Sequence, residues 1–404
     1  MNRRWKLLVG AVSLLLLLAA CGDTPDETVD DTEDVDAAPP DGDPIVIGGL
    51  FDMSGPTSDI GAPYGDGVID YFEWRNEQGG IEGRPVELQW EDYVYDVATS
   101  EQLYTDFVAQ GAVAFVGWGT NDTEALSARV ARDEVPYLSG ASTDSLADAE
   151  GAPYNFPLVP TYSDQLRIAL KWIEEQGDAT ELAVMHHDSP FGEAPLEDGA
   201  AYVEEQGLAF GYETYRMPSG VTDFIGDLVR VQGSQDPEYI YVQNITSPAA
   251  QLAGDVRDQG MDVQLILFNW GADELFIELA GDAAEGTIAV QPFAPPATGA
   301  EGHEAPAQFL EERGDSLDDR GARYVMGWYA GHTVAEAIAW VINEGLEVTG
   351  PNIKTALEEM DPVDTGGVSV PISYSADDHR PATSSHLYQV QDGQWVLLEE
   401  DRSP

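Results

Sequence analysis

The sequence predicts an α/β fold in two domains, each built on a mostly parallel sheet, and three observations support this. Short apolar runs alternate with longer amphipathic runs, and such strand–helix alternation is typical of parallel sheets with right-handed crossovers. Several strand candidates are apolar throughout, as strands covered on both faces are. The 404 residues also exceed what one hydrophobic core comfortably holds.

The predicted strands fall into two series separated by a clear helix pattern. The first series is Ile45–Phe51, Val86–Asp92, Ala112–Trp118 and Val135–Ser139. The second is Leu182–His187, Ala209–Tyr215, Tyr239–Gln243, Val263–Phe268 and Thr287–Val290. Among the helices predicted between strands are Ser163–Gln176, whose apolar residues gather toward one side, and Ala249–Gln259.

The pattern changes after residue 303, where helices dominate. Apolar residues at helical spacing predict a helix over Tyr324–Asn343, and Pro351 opens another, since proline is tolerated in the first turn. Short strands return at the end of the chain, and Asp392-Gly393 predicts a hairpin between the last two. These strands are Val368–Tyr374, His386–Val390 and Trp395–Leu398.

The N-terminus resembles a bacterial lipoprotein signal. Three basic residues precede an apolar run over 7–18, and small residues lead to Cys21, the only cysteine. The run is too short to span a bilayer, which takes roughly 20 residues. We therefore expect residues 1–20 to be removed and Cys21 to be lipidated. The alternative is an ordinary secretory signal followed by a chance cysteine.

Residues 21–43 are predicted to be a disordered acidic tether, because the segment holds ten acidic residues and neither lysine nor arginine. The whole chain carries a net charge of −56 and the signal carries three basic residues, which leaves −49 for residues 44–404. This charge excludes nucleic acid as a partner and argues against docking on anionic lipid. It indicates a halophile-like acidic surface suited to high salt, or alternatively a merely soluble acidic exoprotein.

The loops that follow the strands are the candidate binding segments, because ligands of open α/β sheets bind outside the carboxyl ends of strands. The first loop, residues 52–65, includes Tyr64. After the third strand, Asn121 or Asp122 is positioned to cap a helix, and residues 139–143 form another hydroxyl-rich turn. The two turns predict either a cradle for a carboxylate or ordinary helix capping.

No catalytic, cofactor or metal signature is found, so the sequence does not predict an enzyme. The chain has no nucleophile elbow, phosphate loop or dinucleotide fingerprint. His186, His187 and Asp188 indicate a metal site only weakly. Neighbouring residues of a strand point to opposite faces, so the two histidines do not easily converge on one ion. His303-Glu304 lacks the second histidine of a zinc-binding helix.

From residue 45 to its end, the chain resembles the periplasmic branched-chain amino acid (leucine/isoleucine/valine) binding proteins of ABC transporters. Each resembling segment is short, but their order and spacing cover nearly the whole remaining chain. The segments are Met53–Pro56, Asn76–Ile81, Val116-Gly117, Ser139–Thr143, Phe191-Gly192 and Ala280–Gly286.

The resemblance implies a type I periplasmic-binding-protein fold with two lobes, three hinge crossovers and a ligand in the cleft between the lobes. We expect the crossovers near Pro160, Gln291 and Val368. The N-terminal lobe then comprises residues 44–160 plus 292–368, and the C-terminal lobe comprises residues 161–291 plus 369–404.

The family's carboxylate-binding positions, in the first lobe, fall at small or hydroxyl-bearing residues. Thr120 or Asn121 matches one of them, and the Ala141–Thr143 turn, with Ala141, Ser142 and Thr143, matches the others. Tyr64 resembles the tyrosine that lines the apolar side of the cleft. Trp118 lies beside these positions.

The family's ammonium-binding positions, in the second lobe, are not matched. Phe191 stands where the family has tyrosine, and Asn269 or Trp270 stands where it has glutamate. A further aromatic position falls at Ile245 or Thr246. The expected ligand is therefore a carboxylate or amide without a free amine. Trp118, Phe191 and Trp270 make an aromatic ligand one form of this expectation. The alternative is an amino acid whose ammonium meets another acid, such as Asp188 or Asp273.

The resemblance implies an extracytoplasmic solute-binding lipoprotein of an ABC importer. Its ligand would be a branched-chain amino acid or a related small carboxylate or amide, enclosed by hinge closure. Its partners would be this ligand, the ABC permease subunits and, through the lipid anchor, the outer face of the cytoplasmic membrane. No cofactor or metal is expected, and the protein would act as a monomer. The alternative is a non-enzymatic sensor that passes ligand occupancy to a membrane receptor.

Overall fold

The strands form two separate sheets in a computed structural model, which describes residues 42–404. The first sheet contains β1 Ile45–Phe51, β2 Val86–Asp92, β3 Ala114–Gly117, β4 Tyr137–Ser139 and β5 Asn155–Pro157. The second contains β6 Glu181–His187, β7 Gly211–Met217, β8 Tyr239–Gln243, β9 Gln264–Leu267, β10 Ile288–Gln291, β11 Ser385–Gln391 and β12 Gln394–Arg402.

Thirteen α-helices are assigned in the described part of the chain. They are α1 Ser58–Glu77, α2 Val97–Ala109, α3 Thr120–Asp133, α4 Asp144–Ala147, α5 Tyr162–Gln176, α6 Pro190–Glu193, α7 Leu196–Gln206, α8 Ile225–Ser234, α9 Thr246–Gln259, α10 Glu274–Ala280, α11 Glu304–Glu311, α12 Leu317–Asn343 and α13 Gly350–Glu359. α12 is broken near its start at Gly321, whose φ is 72°.

The first sheet is parallel throughout, with strand order β2-β1-β3-β4-β5. Its inner strand β1, between β2 and β3, is almost wholly buried, which agrees with its continuous apolar sequence. β1 and β3 pack closely, because a Cβ at Gly48 would overlap the ring of Phe115. Because all five strands run parallel, their carboxyl ends lie at the same edge of the sheet.

The second sheet has the order β12-β11-β10-β9-β8-β6-β7. Strands β6 to β10 pair in parallel, and β11 and β12 add an antiparallel edge. The predicted hairpin between β11 and β12 is confirmed. Asp392 and Gly393 occupy its turn with φ of 52° and 74°, the left-handed conformation that a two-residue hairpin of this kind requires.

The predicted α/β fold class is confirmed, and the main errors concern short or irregular segments. β1, β2 and β8 have the predicted bounds, and each end of the other predicted strands lies within four residues of its predicted position. The strand predicted over Val368–Tyr374 is wrong: the segment makes only isolated bridges, such as Phe293 with Ser369. Pro371 lacks the N–H that a continuous ladder needs. β5, a three-residue edge strand ending in Pro157, was missed.

Helices α1 and α12 cross at very short range, and this contact supports one side of the molecule. A Cβ at Gly67 would overlap the carbonyl oxygen of Tyr324, and a Cβ at Gly327 would overlap that of Tyr64. Only glycine permits this approach. Most of the residues over 322–341 are buried accordingly.

Residues 369–384 remain in contact with the first sheet before the chain enters β11. The Tyr374 hydroxyl donates to the carbonyl of Pro157 at 2.8 Å, and His379 Nδ1 lies 2.8 Å from the carbonyl of Asn155. The chain joins the second sheet at Ser385.

The predicted signal peptide, Cys21 and the tether up to residue 41 lie outside the described residues. Within residues 42–404, no helix is both long enough and apolar enough to cross a membrane.

Candidate functional site

The loops at the carboxyl ends of both sheets enclose one cleft of about 880 Å³. The loops after β1 to β4 contribute one wall, and the loops after β6 to β9 contribute the other. Parallel strands bring these loops to one edge of each sheet, as the general rule for ligand sites in α/β proteins requires. The lining residues are Pro56, Thr57, Ile60, Tyr95, Trp118, Gly119, Thr120, Asn121, Gly140, Tyr162, His187, Ser189, Phe191, Pro218, Ser219, Gly220, Val221, Thr222, Phe224, Asn244, Ile245, Ser247, Pro248, Gln251 and Trp270.

The N-terminus of α3 forms one polar end of this cleft. Gly119 is the N-cap, so neither Asn121 nor Asp122 is the N-cap residue, and both lie in the first turn. The Asp122 carboxylate instead accepts from the backbone of Gly119 and of Asp122 itself. A Cβ at position 119 would overlap Asp122 and Tyr95, so only glycine fits here. The dipole of such a terminus favours a group with partial or full negative charge.

Two hydroxyl groups lie beside this helix terminus. Thr120 Oγ1 and the Tyr162 hydroxyl are 3.2 Å apart, and both residues line the cleft although each is only 2% exposed. Burial raises the pKa of Tyr162 to about 12, so the phenol stays protonated at ordinary pH and can donate a hydrogen bond. Asn121 Oδ1 is buried and has no hydrogen-bond partner among the described residues.

Aromatic side chains form the apolar walls. Trp118 from the first sheet's loops and Trp270 from the second sheet's loops meet edge to face, with ring centroids 4.8 Å apart. Phe191 packs edge to face on Tyr162, with centroids 5.5 Å apart. Tyr64 supports the tryptophans from behind, since its ring centroid is 5.1 Å from that of Trp118.

His187 holds the loop over 218–224 against the cleft. Its Nδ1 lies 2.7 Å from the Ser189 hydroxyl, and its Nε2 lies 2.9 Å from the Ser219 hydroxyl. Burial lowers the pKa of His187, which favours the neutral ring. At the far end of the loop, the Phe224 N–H donates to Asp255. The loop is otherwise exposed over residues 218–223.

A direct hydrogen bond joins the two walls at the edge of the cleft. Ser247 Oγ, at the start of α9, donates to Asp59 Oδ2 in the first turn of α1 at 2.6 Å. Burial is the main cause of a raised pKa for Asp59, and the bond from Ser247 opposes it. With the Trp118–Trp270 contact, this bond brings the two sets of loops together.

Five predicted site residues line the cleft, and the structure brings them together from three different loops. Trp118, Thr120 and Asn121 come from the first sheet's side, and Phe191 and Trp270 come from the other.

The three predicted site residues of the 139–143 turn do not line the cleft. Ala141 is buried, and the Ser142 hydroxyl donates to the carbonyls of Val159 and Pro160, where the chain passes from β5 to α5. The Thr143 hydroxyl is engaged with Glu124 and with Ser145, at 3.2 and 2.8 Å. This turn therefore supports the fold locally.

Tyr64, Thr246 and Asn269 also lie behind the lining. Burial raises the pKa of Tyr64 well above its usual range, and its hydroxyl has no partner among residues 42–404. The Thr246 hydroxyl bonds to the Trp270 carbonyl and to Asp273, so the neighbouring Ile245 is the residue that reaches the cleft. Asn269 is fully buried, and its carbonyl accepts from Arg323.

Two loops of the lining were not predicted from the sequence. Tyr95 follows β2, and the 218–224 loop follows β7. His187, at the end of β6, was considered only as a metal ligand. All three segments lie at or just after the carboxyl end of a strand, which is a signal that the sequence carries.

No metal-binding group of three or more His, Cys, Asp and Glu is found in the part of the chain that the structure describes. Histidines 186 and 187 do not converge: His186 Nδ1 lies 3.1 Å from the His187 carbonyl, and both ring nitrogens of His187 face serine hydroxyls. Because both of these nitrogens face hydroxyls, the contacts of His187 lack the carboxylate that orients the base of a hydrolytic triad. The arrangement suits reversible binding of a small molecule.

Comparison with known proteins gives a family match over residues 44–394, to a model described as periplasmic binding protein. A curated relative from Brucella suis, named Leu/Ile/Val-binding protein homolog 1, is 22% identical over 246 residues. The alignment covers 60% of this chain and 66% of the relative, which is just under two thirds of its length.

Solved structures with the same fold cover most of the chain. A branched-chain amino acid ABC transporter protein from Thermus thermophilus with bound valine has a TM-score of 0.83 and 24% identity, over 89% of this chain and 96% of that one. An ABC transporter substrate binding protein from Aeropyrum pernix has a TM-score of 0.81 and 26% identity, over 90% and 97%. A fatty acid ABC transporter substrate-binding protein from Thermomonospora curvata has a TM-score of 0.77 and 20% identity, over 91% and 94%.

Proposed function

The chain belongs to the periplasmic binding protein family, and we propose that it is the extracytoplasmic solute-binding component of an ABC importer. Its ligand is a branched-chain amino acid or a related small carboxylate or amide, bound in the cleft between the two sheets. The valine bound to the Thermus protein and the name of the Brucella relative support this range. The protein delivers its ligand to the permease subunits, acts as a monomer and carries out no reaction.

One observation carries the proposal. The cleft takes its two walls from two different sheets, and its polar, aromatic and hydroxyl groups meet only when those walls meet. A ligand that touches both Thr120 and Phe191 therefore stabilises the closed arrangement over the open one. Differential affinity of this kind is what drives a hinge.

We further propose the lobes that the hinge moves. The first two crossovers are proposed near Pro160 and Gln291, as expected from the sequence. The third, expected near Val368, is proposed later, between His379 and Ser385, because Tyr374 and His379 hydrogen-bond to carbonyls of β5. The lobes then comprise residues 44–160 plus 292–379 and residues 161–291 plus 385–404.

Titration calorimetry tests the binding function. The panel contains leucine, isoleucine, valine, their 2-oxo acids, and aromatic and short-chain carboxylates and amides. We expect saturable binding of one class without chemical change, and at 100 times its Kd that ligand adds about 2.7 kcal/mol to the free energy of unfolding. Turnover of a ligand, or no binding across the panel, contradicts the proposal. Loss of uptake of the same ligand in a deletion strain separates an importer from a sensor.

We also propose that Cys21 anchors the protein by lipid to the outer face of the cytoplasmic membrane. Buried acyl chains hold by about 0.8 kcal/mol per CH₂, and the acidic segment after Cys21 is compatible with a tether above the surface. Cys21→Ser is expected to move the protein from the membrane fraction to the medium. A variant that still sediments with membranes contradicts the anchor while leaving the binding function intact.

A further inference from the structure

The cleft presents no formally charged side chain to a ligand. Among the 25 lining residues in the described part of the chain, none is Asp, Glu, Lys or Arg. The one titratable base there, His187, is held toward its neutral form by burial and is bonded to two serines. An ammonium group enclosed here meets no carboxylate. Leaving one member of a buried charge pair without its partner typically costs roughly thirty- to several-thousand-fold in affinity.

Several acids lie close to the cleft but outside its lining. Asp122, next to Gly119, is 1% exposed, accepts from the Tyr93 hydroxyl at 2.8 Å, and has its pKa raised by burial to about 7. Asp273 pairs with Arg323 at 3.2 Å, and both side chains are almost fully buried. Its carboxylate also accepts from Thr246 and from the backbone of Phe276. An acid satisfied in this way gains little from turning toward a ligand.

Two further acids are also unsuited to the role. Asp188 is half exposed and lies 3.2 Å from Arg216, outside the lining. Asp59 accepts from Ser247 across the edge of the cleft. The lining therefore holds no acid for an ammonium group, and each of these neighbouring acids accepts from or pairs with another group of the protein.

The apolar part of the cleft suits a bulky body. Trp118, Trp270 and Phe191 present aromatic surface, and Val221 and Ile245 extend it. The volume of about 880 Å³ lies near the upper end of the roughly 300–1,000 Å³ of small-molecule sites, which take ligands larger than a free amino acid. Aromatic rings prefer edge-to-face or offset contacts with such walls.

The polar part suits a carbonyl oxygen. The Thr120 and Tyr162 hydroxyls and the start of α3 present donors within one small region, with Asn121 beside them. A carboxylate and a primary amide both present a planar carbonyl group to such donors.

We propose that the natural ligand has a carboxylate or amide head at Gly119–Asn121, a bulky apolar body between Trp118, Phe191 and Trp270, and no ammonium group. This inference rests on the proposed solute-binding function and specifies its ligand class. Of the ligands proposed above, it retains the carboxylates and amides that lack an ammonium group and excludes the free amino acids.

The test compares three probes with one carbon skeleton by titration calorimetry: 3-phenylpropanoate, 3-phenylpropanamide and phenylalanine. We expect phenylalanine to bind at least about thirtyfold more weakly than the better of the other two. Tight propanoate binding identifies an acid head, and tight propanamide binding identifies a neutral head; either supports the inference.

Isosteric variants give the second arm. Asn244 lines the cleft and is buried, whereas Gln232 is exposed on α8 and lies outside the lining. Asn244→Asp places an acid inside the cleft and is expected to weaken phenylpropanoate binding by about tenfold or more, and to reduce the difference in affinity between phenylpropanoate and phenylalanine. Gln232→Glu is the matched control outside the cleft and changes both affinities little. Thermal unfolding of both variants checks that they fold.

Three results overturn the inference. The first is that the wild-type protein binds phenylalanine as tightly as the deaminated probes. The second is that Asn244→Asp folds normally and leaves the preference among the probes unchanged. The third is that none of the three probes binds. If all three probes fail, the panel of branched-chain amino acids and their 2-oxo acids decides the proposed function separately. Tight leucine binding then overturns the ligand class and preserves the solute-binding function.

Discussion

Thr120 and Thr143 carry the same hydroxyl group in similar turns, but only Thr120 lines the cleft. We expect Thr120→Ala to weaken ligand binding by a few-fold for a neutral head and up to roughly 150-fold for a carboxylate, because hydrogen bonds contribute about 0.5–1.5 and 1.5–3 kcal/mol respectively. Thr143→Ala is the control, because its hydroxyl bonds to Glu124 and Ser145. Calorimetry measures both, and equal losses in the two variants contradict this view of the site.

Asp122 predicts a pH dependence of stability. Its carboxyl is 1% exposed, accepts from the Tyr93 hydroxyl at 2.8 Å, and has its pKa raised by burial to about 7. An acid whose pKa is higher in the folded than in the unfolded state binds more protons in the folded state. Its stabilising effect is therefore complete below about pH 4 and is lost as pH rises through about 7.

Asp122→Asn is therefore expected to remove this loss and to stabilise the protein above pH 8, by at most about 4 kcal/mol for a shift of this size. Asn keeps an oxygen that can accept from Tyr93. Chemical denaturation at pH 5 and pH 8 measures the difference. If the free energies of unfolding of wild type and variant differ by the same amount at both pH values, the raised pKa of Asp122 is contradicted.

Residue type and chain position predicted the neighbourhood of the cleft better than its individual contacts. Trp118 follows an apolar strand, Trp270 matches a ligand position of the family, and both line the cleft. A further ligand position was expected at Ile245 or Thr246, and Ile245 lines the cleft whereas the Thr246 hydroxyl turns inward to Asp273. A one-residue difference at a helix start decides which side chain faces the ligand, and local sequence does not encode it.

Strands with continuous apolar sequence, such as β1 and β8, were predicted with their bounds because burial on both faces determines their composition. Short edge segments carry less of this signal. β5 has three residues, and the segment over Val368–Tyr374 looks strand-like but contains Pro371. The loop after β7 was missed because its role comes from the contact between His187 and Ser219, which joins residues far apart in sequence.

The crossing of α1 and α12 predicts a sharp difference between two glycines. Gly327→Ala puts a Cβ against the carbonyl oxygen of Tyr64, whereas Gly254 in α9 has open space. We expect Gly327→Ala to lower the free energy of unfolding by about 1–3 kcal/mol, and Gly254→Ala to raise it by about 0.5–1 kcal/mol.

Denaturant unfolding measures both glycine variants. Because Tyr64 packs behind Trp118, ligand affinity is expected to fall in Gly327→Ala and to stay unchanged in Gly254→Ala. Equal stability of Gly327→Ala and wild type contradicts the close packing of the two helices.

The net charge of the chain contrasts with its cleft. Residues 44–404 carry −49, while the described lining of the cleft holds no formally charged side chain. The sequence established the first fact directly. The second depends on which of many carboxylates turn toward the cleft, and it emerges only from contacts such as those of Asp273 with Arg323 and Asp59 with Ser247.

The central claim is that a ligand bound between the two sheets draws their loops together. Small-angle X-ray scattering of the purified protein, with and without a ligand at saturation by calorimetry, tests it most directly. Asp59→Ala, which removes the acceptor of the Ser247 bond, is expected to shift the ligand-free protein toward the open form. We predict a smaller radius of gyration with ligand than without it, in wild type and in the variant. An unchanged radius of gyration at full occupancy contradicts closure of the cleft.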